Sequence, residues 1–179
     1  MIKLTDLIRE NSTSTYDYGC VMLYFNVPEM NEIHSRIDKE HVYTESGDVT
    51  YGLEDEPHCT LLYGLHAGVS VSDVKWIIRE YDFSKCEIHN ASLFENDYDV
   101  LKFDVKGDSL HECNATLSKL PHTTNYPDYH PHMTIGYLQK GTGKTYVQKL
   151  KGFKKSIKPK YIVYSTPNGN KYKIQIKNG

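Results

Sequence analysis

Residues 57–65 read Pro-His-Cys-Thr-Leu-Leu-Tyr-Gly-Leu, and residues 131–138 read Pro-His-Met-Thr-Ile-Gly-Tyr-Leu. Each stretch sets a Pro-His-x-Thr string at the head of a short apolar run with the length and composition of a buried strand. Side chains alternate between the two faces of a strand. His58 and Thr60 therefore share one face, with Cys59 and Leu61 on the other. His132 and Thr134 share a face in the same way, opposite Met133 and Ile135. The apolar faces are fit to pack on helices. If the two strands lie side by side, two imidazoles and two hydroxyls line one groove. A lone His-x-Thr is a weak signal among nine histidines, and threonine favours strands on its own account. Two copies with matching proline and strand context, 74 residues apart, carry far more weight.

Such a set suits phosphodiester cleavage. That reaction needs a base for the attacking oxygen and an acid for the leaving oxygen, and imidazoles titrate near neutrality. Threonine hydroxyls can donate to phosphoryl oxygens as these gain charge. Two histidines suffice for both proton transfers, so the expected cofactor is none. The four cysteines, Cys20, Cys59, Cys86 and Cys113, are spaced too widely for a zinc-type pair and read as reduced core thiols.

Outward from the first motif, residues 18–27 (YGCVMLYFNV) form a continuous apolar run and predict a buried strand that Pro28 ends. Met30, Ile33 and Ile37 predict a helix over 30–41, and 44–57 read as an acidic loop. A helix capped by Ser70 or Ser72 runs to about Tyr81. Strands follow over 86–94 and 99–105, the second alternating Val100, Lys102, Asp104 against Leu101, Phe103, Val105. Residues 109–120 predict a helix with Ser109 as N-cap and Leu110, Cys113, Leu117 and Leu120 buried. After the second motif strand at 130–138 come a short helix over 145–152 and strands over 157–166 and 172–177. Pro-Asn-Gly-Asn joins the last two as a hairpin turn. Residues 1–15 read as a helical or loose lead-in. The order predicts an α+β domain with helices packed on antiparallel sheets. At 179 residues, with no linker rich in Pro, Gly or Ser, a single domain over 1–179 is expected.

Charge is unevenly spread. Residues 139–179 hold eleven lysines and no acidic residue, whereas residues 1–138 carry an excess of thirteen negative charges. A basic segment on an acidic body suggests an anionic ligand near the C-terminal part, or a solvated lysine-rich surface. Fifteen tyrosines suit strand surfaces and stacking on bases. No apolar stretch approaches the length of a membrane span, and the N-terminal residues lack the apolar core of a signal peptide. A cytoplasmic protein is expected.

The paired motifs resemble the signature of the two-histidine (2H) phosphoesterases, the superfamily of RNA 2′,3′-cyclic phosphodiesterases and 2′-5′ RNA ligase-like proteins. The resemblance covers about residues 18–177, with its specificity in the motif strands. It implies a two-lobed, pseudo-symmetric 2H phosphoesterase fold, with antiparallel sheets lining a central groove and helices outside. More narrowly, YGCVMLYFNV, YGLEDEPHCTLLYGLH and YHPHMTIGYL resemble the bacteriophage anti-CBASS phosphodiesterases, which degrade cyclic di- and trinucleotide signals of bacterial immunity. By this resemblance His58 and His132 are the acid–base pair, and Thr60 and Thr134 hold the phosphate. Tyr18 and Tyr172 are then the base-stacking candidates, with ordinary strand packing as the alternative for each. The implied partner is a cyclic oligonucleotide such as cyclic GMP–AMP, not DNA and not a membrane, met in the host bacterial cytoplasm. The C-terminal hairpin has no tryptophan, and no acidic residue follows Asp128 to contact a base. Two rival readings are a 2H phosphodiesterase for RNA ends bearing 2′,3′-cyclic phosphates, and a non-catalytic protein that sequesters nucleotides through its basic region.

Gly-Thr-Gly-Lys-Thr at 141–145 lacks the glycine that a phosphate-binding loop needs at 138, where leucine stands. It reads better as a turn, with Lys144 a candidate neighbour of phosphate. His130 shares parity with His132 and reads as a surface strand cap, a metal ligand or a substrate contact; His66 and His122 show no partner in sequence.

Overall fold

Strand β1 (Gly19–Asn26) has neighbours on both edges, β2 (His58–Leu65) and β6 (Lys155–Ser165). Its apolar run is continuous because both of its faces are buried. Val21, Leu23 and Phe25 enter the main core, while Cys20, Met22 and Tyr24 form a separate cluster on the opposite face. The computed structural model describes residues 17–48, 51–126 and 128–176. The predicted lead-in over 1–15 lies outside the described residues.

Helix α1 (Met30–Ser35) follows β1 and α2 (Val71–Ile78) follows β2. Then come β3 (Cys86–Glu95), β4 (Asp99–Lys106), α3 (Asp108–Leu117), β5 (His132–Leu138) and α4 (Gly143–Lys149), and β7 (Lys171–Ile174) follows β6. These strands form one seven-stranded antiparallel sheet in the order β1-β2-β5-β4-β3-β6-β7. The β1–β6 ladder also joins the two ends of the first six, so these close on themselves. The class is α+β, as the sequence predicts.

The helices cover one face of the sheet. Met30 and Ile33 of α1, Val74 and Ile78 of α2, and Leu110, Cys113 and Leu117 of α3 pack with Cys59, Leu61, Phe103, Met133 and Ile135 of the strands. Each such side chain contributes roughly 1.5–3 kcal/mol when fully buried. This core therefore fixes which way the motif strands face: their apolar residues meet the helices, and their His and Thr residues point the other way.

Several boundaries shift from expectation, as where the helix expected over 145–152 spans Gly143–Lys149 and the last strand spans Lys171–Ile174, and two of the shifts have visible causes. The helix predicted over 30–41 stops at Ser35, and Asp38 then caps a short 3-10 turn, accepting from the Glu40 backbone N–H at 3.0 Å. A local side-chain bond of this kind competes with helix continuation. Helix α3 starts one residue before Ser109, whose hydroxyl donates to the Asp82 carbonyl at 2.5 Å instead of capping. Helix α2 does carry the expected cap, a reciprocal Ser70–Asp73 box. Within β2, Gly64 has φ +106°, and a Cβ there would stand 1.9 Å from the Thr123 carbonyl oxygen, so only glycine fits. No helix among the described residues is long and apolar enough to cross a membrane.

Candidate active site

Among the described residues, strands β2 and β5 meet at one residue pair, Cys59 with Met133. Antiparallel register about this pair sets His58 opposite Thr134 and Thr60 opposite His132. The two motifs are thus brought together on the face away from the helices. Along their outer edges, His58 pairs with Tyr24 of β1, His132 with Asp104 of β4, and Thr134 with Lys102 of β4. Because the β2–β5 ladder is so short, side chains take over the next carbonyls of β2. The Tyr129 hydroxyl donates to the Thr60 carbonyl at 2.9 Å, and Asn114 Nδ2 of α3 donates to the Leu61 carbonyl at 2.7 Å. Burial pushes the Tyr129 phenol well above its ordinary value, which keeps it a donor.

Both imidazoles are mounted in the same way. His58 Nδ1 lies 2.8 Å from the Glu56 carbonyl, and His132 Nδ1 lies 2.8 Å from the His130 carbonyl. A carbonyl oxygen only accepts, so each Nδ1 carries its hydrogen and each Nε2 is left for chemistry. The accepting carbonyl sits two residues back, just before the proline. Proline holds its predecessor extended and offers no competing N–H. The proline carbonyls are also anchored alike, Pro57 by Phe25 N–H at 2.9 Å and Pro131 by Val105 N–H at 3.0 Å. Proline is therefore part of the imidazole mount, a role that the sequence pattern alone left unexplained.

The surroundings of the two rings differ. His58 is 3% exposed and its ring lies 5.3 Å from that of Tyr24. His132 is half-buried. Its imidazole is held below the ordinary 6.5, at about 4, first by burial and then by the Lys102 ammonium and His58; its bond to the His130 carbonyl and the Asp104 carboxylate work against this. Lys102 is only 5% exposed. Its Nζ donates to Asp104 Oδ1 and to Ser92 Oγ, both at 2.6 Å, and Ser92 Oγ donates to Asp104 Oδ1 at 2.7 Å. The ammonium stands 4.4 Å from the Phe94 ring centroid, and Phe94 meets His132 edge-on at 5.0 Å. The alternation of β4 shows its polar face in sequence; that this face borders the second motif follows only from the strand order.

Thr60 Oγ1 is buried and, among the described residues, makes no hydrogen bond, although the Cys20 thiol lies beside it. Thr134 is also buried.

No family model matches the chain, and no curated protein matches it.

Aromatic side chains flank the motifs on both sides along the sheet. On the β1 side, Tyr24 stacks on Tyr161 at 5.1 Å, and Lys173 Nζ stands 3.8 Å from the Tyr161 ring centroid. On the β4 side, Tyr43, Tyr51, Tyr98 and Tyr137 form a cluster with ring separations of 4.9–5.6 Å. Tyr18 lies at the start of β1, with its ring 6.0 Å from Tyr63 and 5.9 Å from His66. Tyr172 pairs with Tyr164, whose side chain belongs to the helix-side core. Tyr172 is thus on the helix-side face and 39% exposed, while Lys171 and Lys173 take the motif face. Tyr24, not marked out by the sequence pattern, lies against His58, and Tyr161 stacks on Tyr24.

The Gly-Thr-Gly-Lys turn has its own occupant. The N–H groups of Gly141 and Gly143 both donate to Asp99 Oδ2, at 3.0 and 2.9 Å, and Lys144 pairs with Glu95 at 2.9 Å. His130 is exposed and serves through its carbonyl. His66 Nε2 lies 2.9 Å from Thr123 Oγ1, and His122 Nδ1 donates to the Leu120 carbonyl at 2.9 Å.

Proposed function

We propose that this protein is a metal-independent phosphodiesterase that hydrolyses the 3′–5′ bonds of cyclic di- and trinucleotides, and that it thereby blocks CBASS anti-phage immunity in the bacterial cytoplasm. The observation that carries the reading is the pair of like-mounted imidazoles, His58 and His132, on one face across the Cys59–Met133 pair. One Nε2 takes the proton of a ribose 2′-OH or of water. The oxygen attacks phosphorus, and the P–O5′ bond breaks as the other imidazolium gives its Nε2 proton to O5′. Thr60 and Thr134, set in register beside His132 and His58, are the hydroxyls suited to donate to a phosphoryl oxygen.

The two-lobed 2H architecture draws support from the matching surroundings of the motifs. Each motif strand has an outer neighbour whose backbone N–H anchors the motif proline, β1 for the first and β4 for the second. The choice of substrate rests on the resemblance of the motif strands to anti-CBASS phosphodiesterases. It is supported by the aromatic clusters on both sides and by Lys171 and Lys173 on the same face. In this reading Tyr18 and Tyr161 offer the stacking surfaces, the buried Tyr24 backs Tyr161, and Tyr172 serves strand packing. The test is turnover of a panel: cyclic dinucleotides, cyclic trinucleotides and an RNA ending in a 2′,3′-cyclic phosphate, resolved by chromatography. Linear products from the cyclic oligonucleotides are expected. Turnover of the RNA end alone would move the assignment to RNA processing, and binding without any turnover would make the protein a nucleotide sponge.

A further inference from the structure

We propose that the clamped ammonium of Lys102 assigns the two histidines their roles, making His132 the general base and His58 the general acid, with Lys102 a positioning residue. The inference rests on the phosphodiesterase reading and deepens it.

Lys102 and Asp104 lie on the motif face of β4, in register with Thr134 and His132. The lysine is buried, and two 2.6 Å bonds fix its ammonium against Asp104 Oδ1 and Ser92 Oγ. Phe94 contacts both partners, lying 4.4 Å from the ammonium and 5.0 Å from the His132 ring. A fixed cation on the same face, with the Phe94 ring touching both, opposes a second positive charge on His132. The charged groups acting on His132 are Lys102 and Asp104 from β4 and His58 from β2. Asp104 attracts a proton to His132, but its Oδ1 already accepts from both Lys102 and Ser92, so its charge is shared. Burial first, and then the Lys102 cation, leave His132 neutral, with Nδ1–H on the His130 carbonyl and a lone pair on Nε2. That form accepts a proton. The nucleophile's proton goes to His132 Nε2, and the leaving O5′ receives its proton from His58 Nε2. Exchange with water then restores both rings.

Sulfur replacement separates the roles. A cyclic dinucleotide with bridging sulfur in place of O5′ leaves as a thiolate and needs no general acid. Wild type should cleave both the oxygen and the sulfur compound. His58→Gln should lose about 100-fold or more on oxygen and recover to within about 10-fold of wild type on sulfur. His132→Gln should stay impaired on both. Recovery of His132→Gln, or of neither variant, overturns the assignment while leaving the phosphodiesterase reading intact. Failure of wild type on the oxygen compound overturns that reading itself. Lys102 is read separately from the pH profile. Lys102→Met should move the acidic limb of kcat/KM upward by about one pH unit, because loss of the cation eases protonation of His132. Lys102→Arg should restore the limb. A limb that stays put in Lys102→Met removes Lys102 from the account.

Discussion

Cys59 and Met133 are the one residue pair that joins β2 to β5 among the described residues. This pair sets the spacing of the two motifs, since His58, Thr60, His132 and Thr134 are its immediate chain neighbours. A ladder one pair long cannot hold two strands by backbone bonds alone, and Tyr129 and Asn114 supply side-chain donors where the ladder gives out.

Removing the Tyr129 hydroxyl should therefore be costly. Tyr129→Phe leaves the Thr60 carbonyl without its donor, a loss of about 1–3 kcal/mol. Urea denaturation should show it as a lower midpoint, and turnover should fall as the seam loosens. Tyr126→Phe, at a 60% exposed position, is the control and should change neither. Equal midpoints for the two variants would remove Tyr129 from the seam.

Thr60 should separate stability from activity. Its hydroxyl is buried and, among the described residues, has only the weakly bonding Cys20 thiol beside it, so Thr60→Val removes a poorly compensated polar group at nearly constant shape. Stability should hold or rise, while turnover should fall by about 100-fold through loss of a donor to the phosphoryl oxygen. A clear drop in thermal midpoint would show that the hydroxyl serves the fold instead.

The sequence makes much of this arrangement legible, and the limits have physical causes. Strand alternation places His58 with Thr60 and His132 with Thr134 because period-two parity is local information. The double-sided burial of β1 shows in its unbroken apolar run. Register between distant strands is not local. Tyr172 falls on the helix-side face because β7 pairs with β6 so that Tyr172 meets Tyr164, and one residue's slip would reverse it. Lys102 and Asp104 look like an ordinary solvated strand face until β4 is known to border β5. The Gly-Thr-Gly-Lys string resembles a phosphate loop because the carboxylate that fills it, Asp99, lies some forty residues earlier in the chain.

Stability should depend on pH through His132. Its imidazole titrates at about 4 in the folded chain, against an ordinary value of 6.5. Between these values the unfolded chain binds the extra proton, so stability falls as pH drops from about 6.5 toward 4 and is unaffected by this group above it. Thermal midpoints of wild type and His132→Gln at pH 7.5 and 4.5 test the sign. The variant should lose less between the two pH values, and an equal loss would show that His132 keeps its ordinary affinity for protons.

Asp99 should matter for the fold and not for chemistry. Asp99→Ala strips the acceptor from two backbone N–H groups, at a cost of about 1–3 kcal/mol. Below the unfolding transition its turnover should match wild type. A selective loss of turnover at unchanged stability would reopen the loop as a substrate contact.

Metal-free cleavage by two imidazoles on one face is tested by a time course with cyclic GMP–AMP in EDTA, comparing wild type with the His58→Gln/His132→Gln double variant. Wild type is expected to give steady conversion to a linear product, and a folded double variant none. Intact substrate with wild type, or equal conversion by the two proteins, would contradict cleavage by this pair.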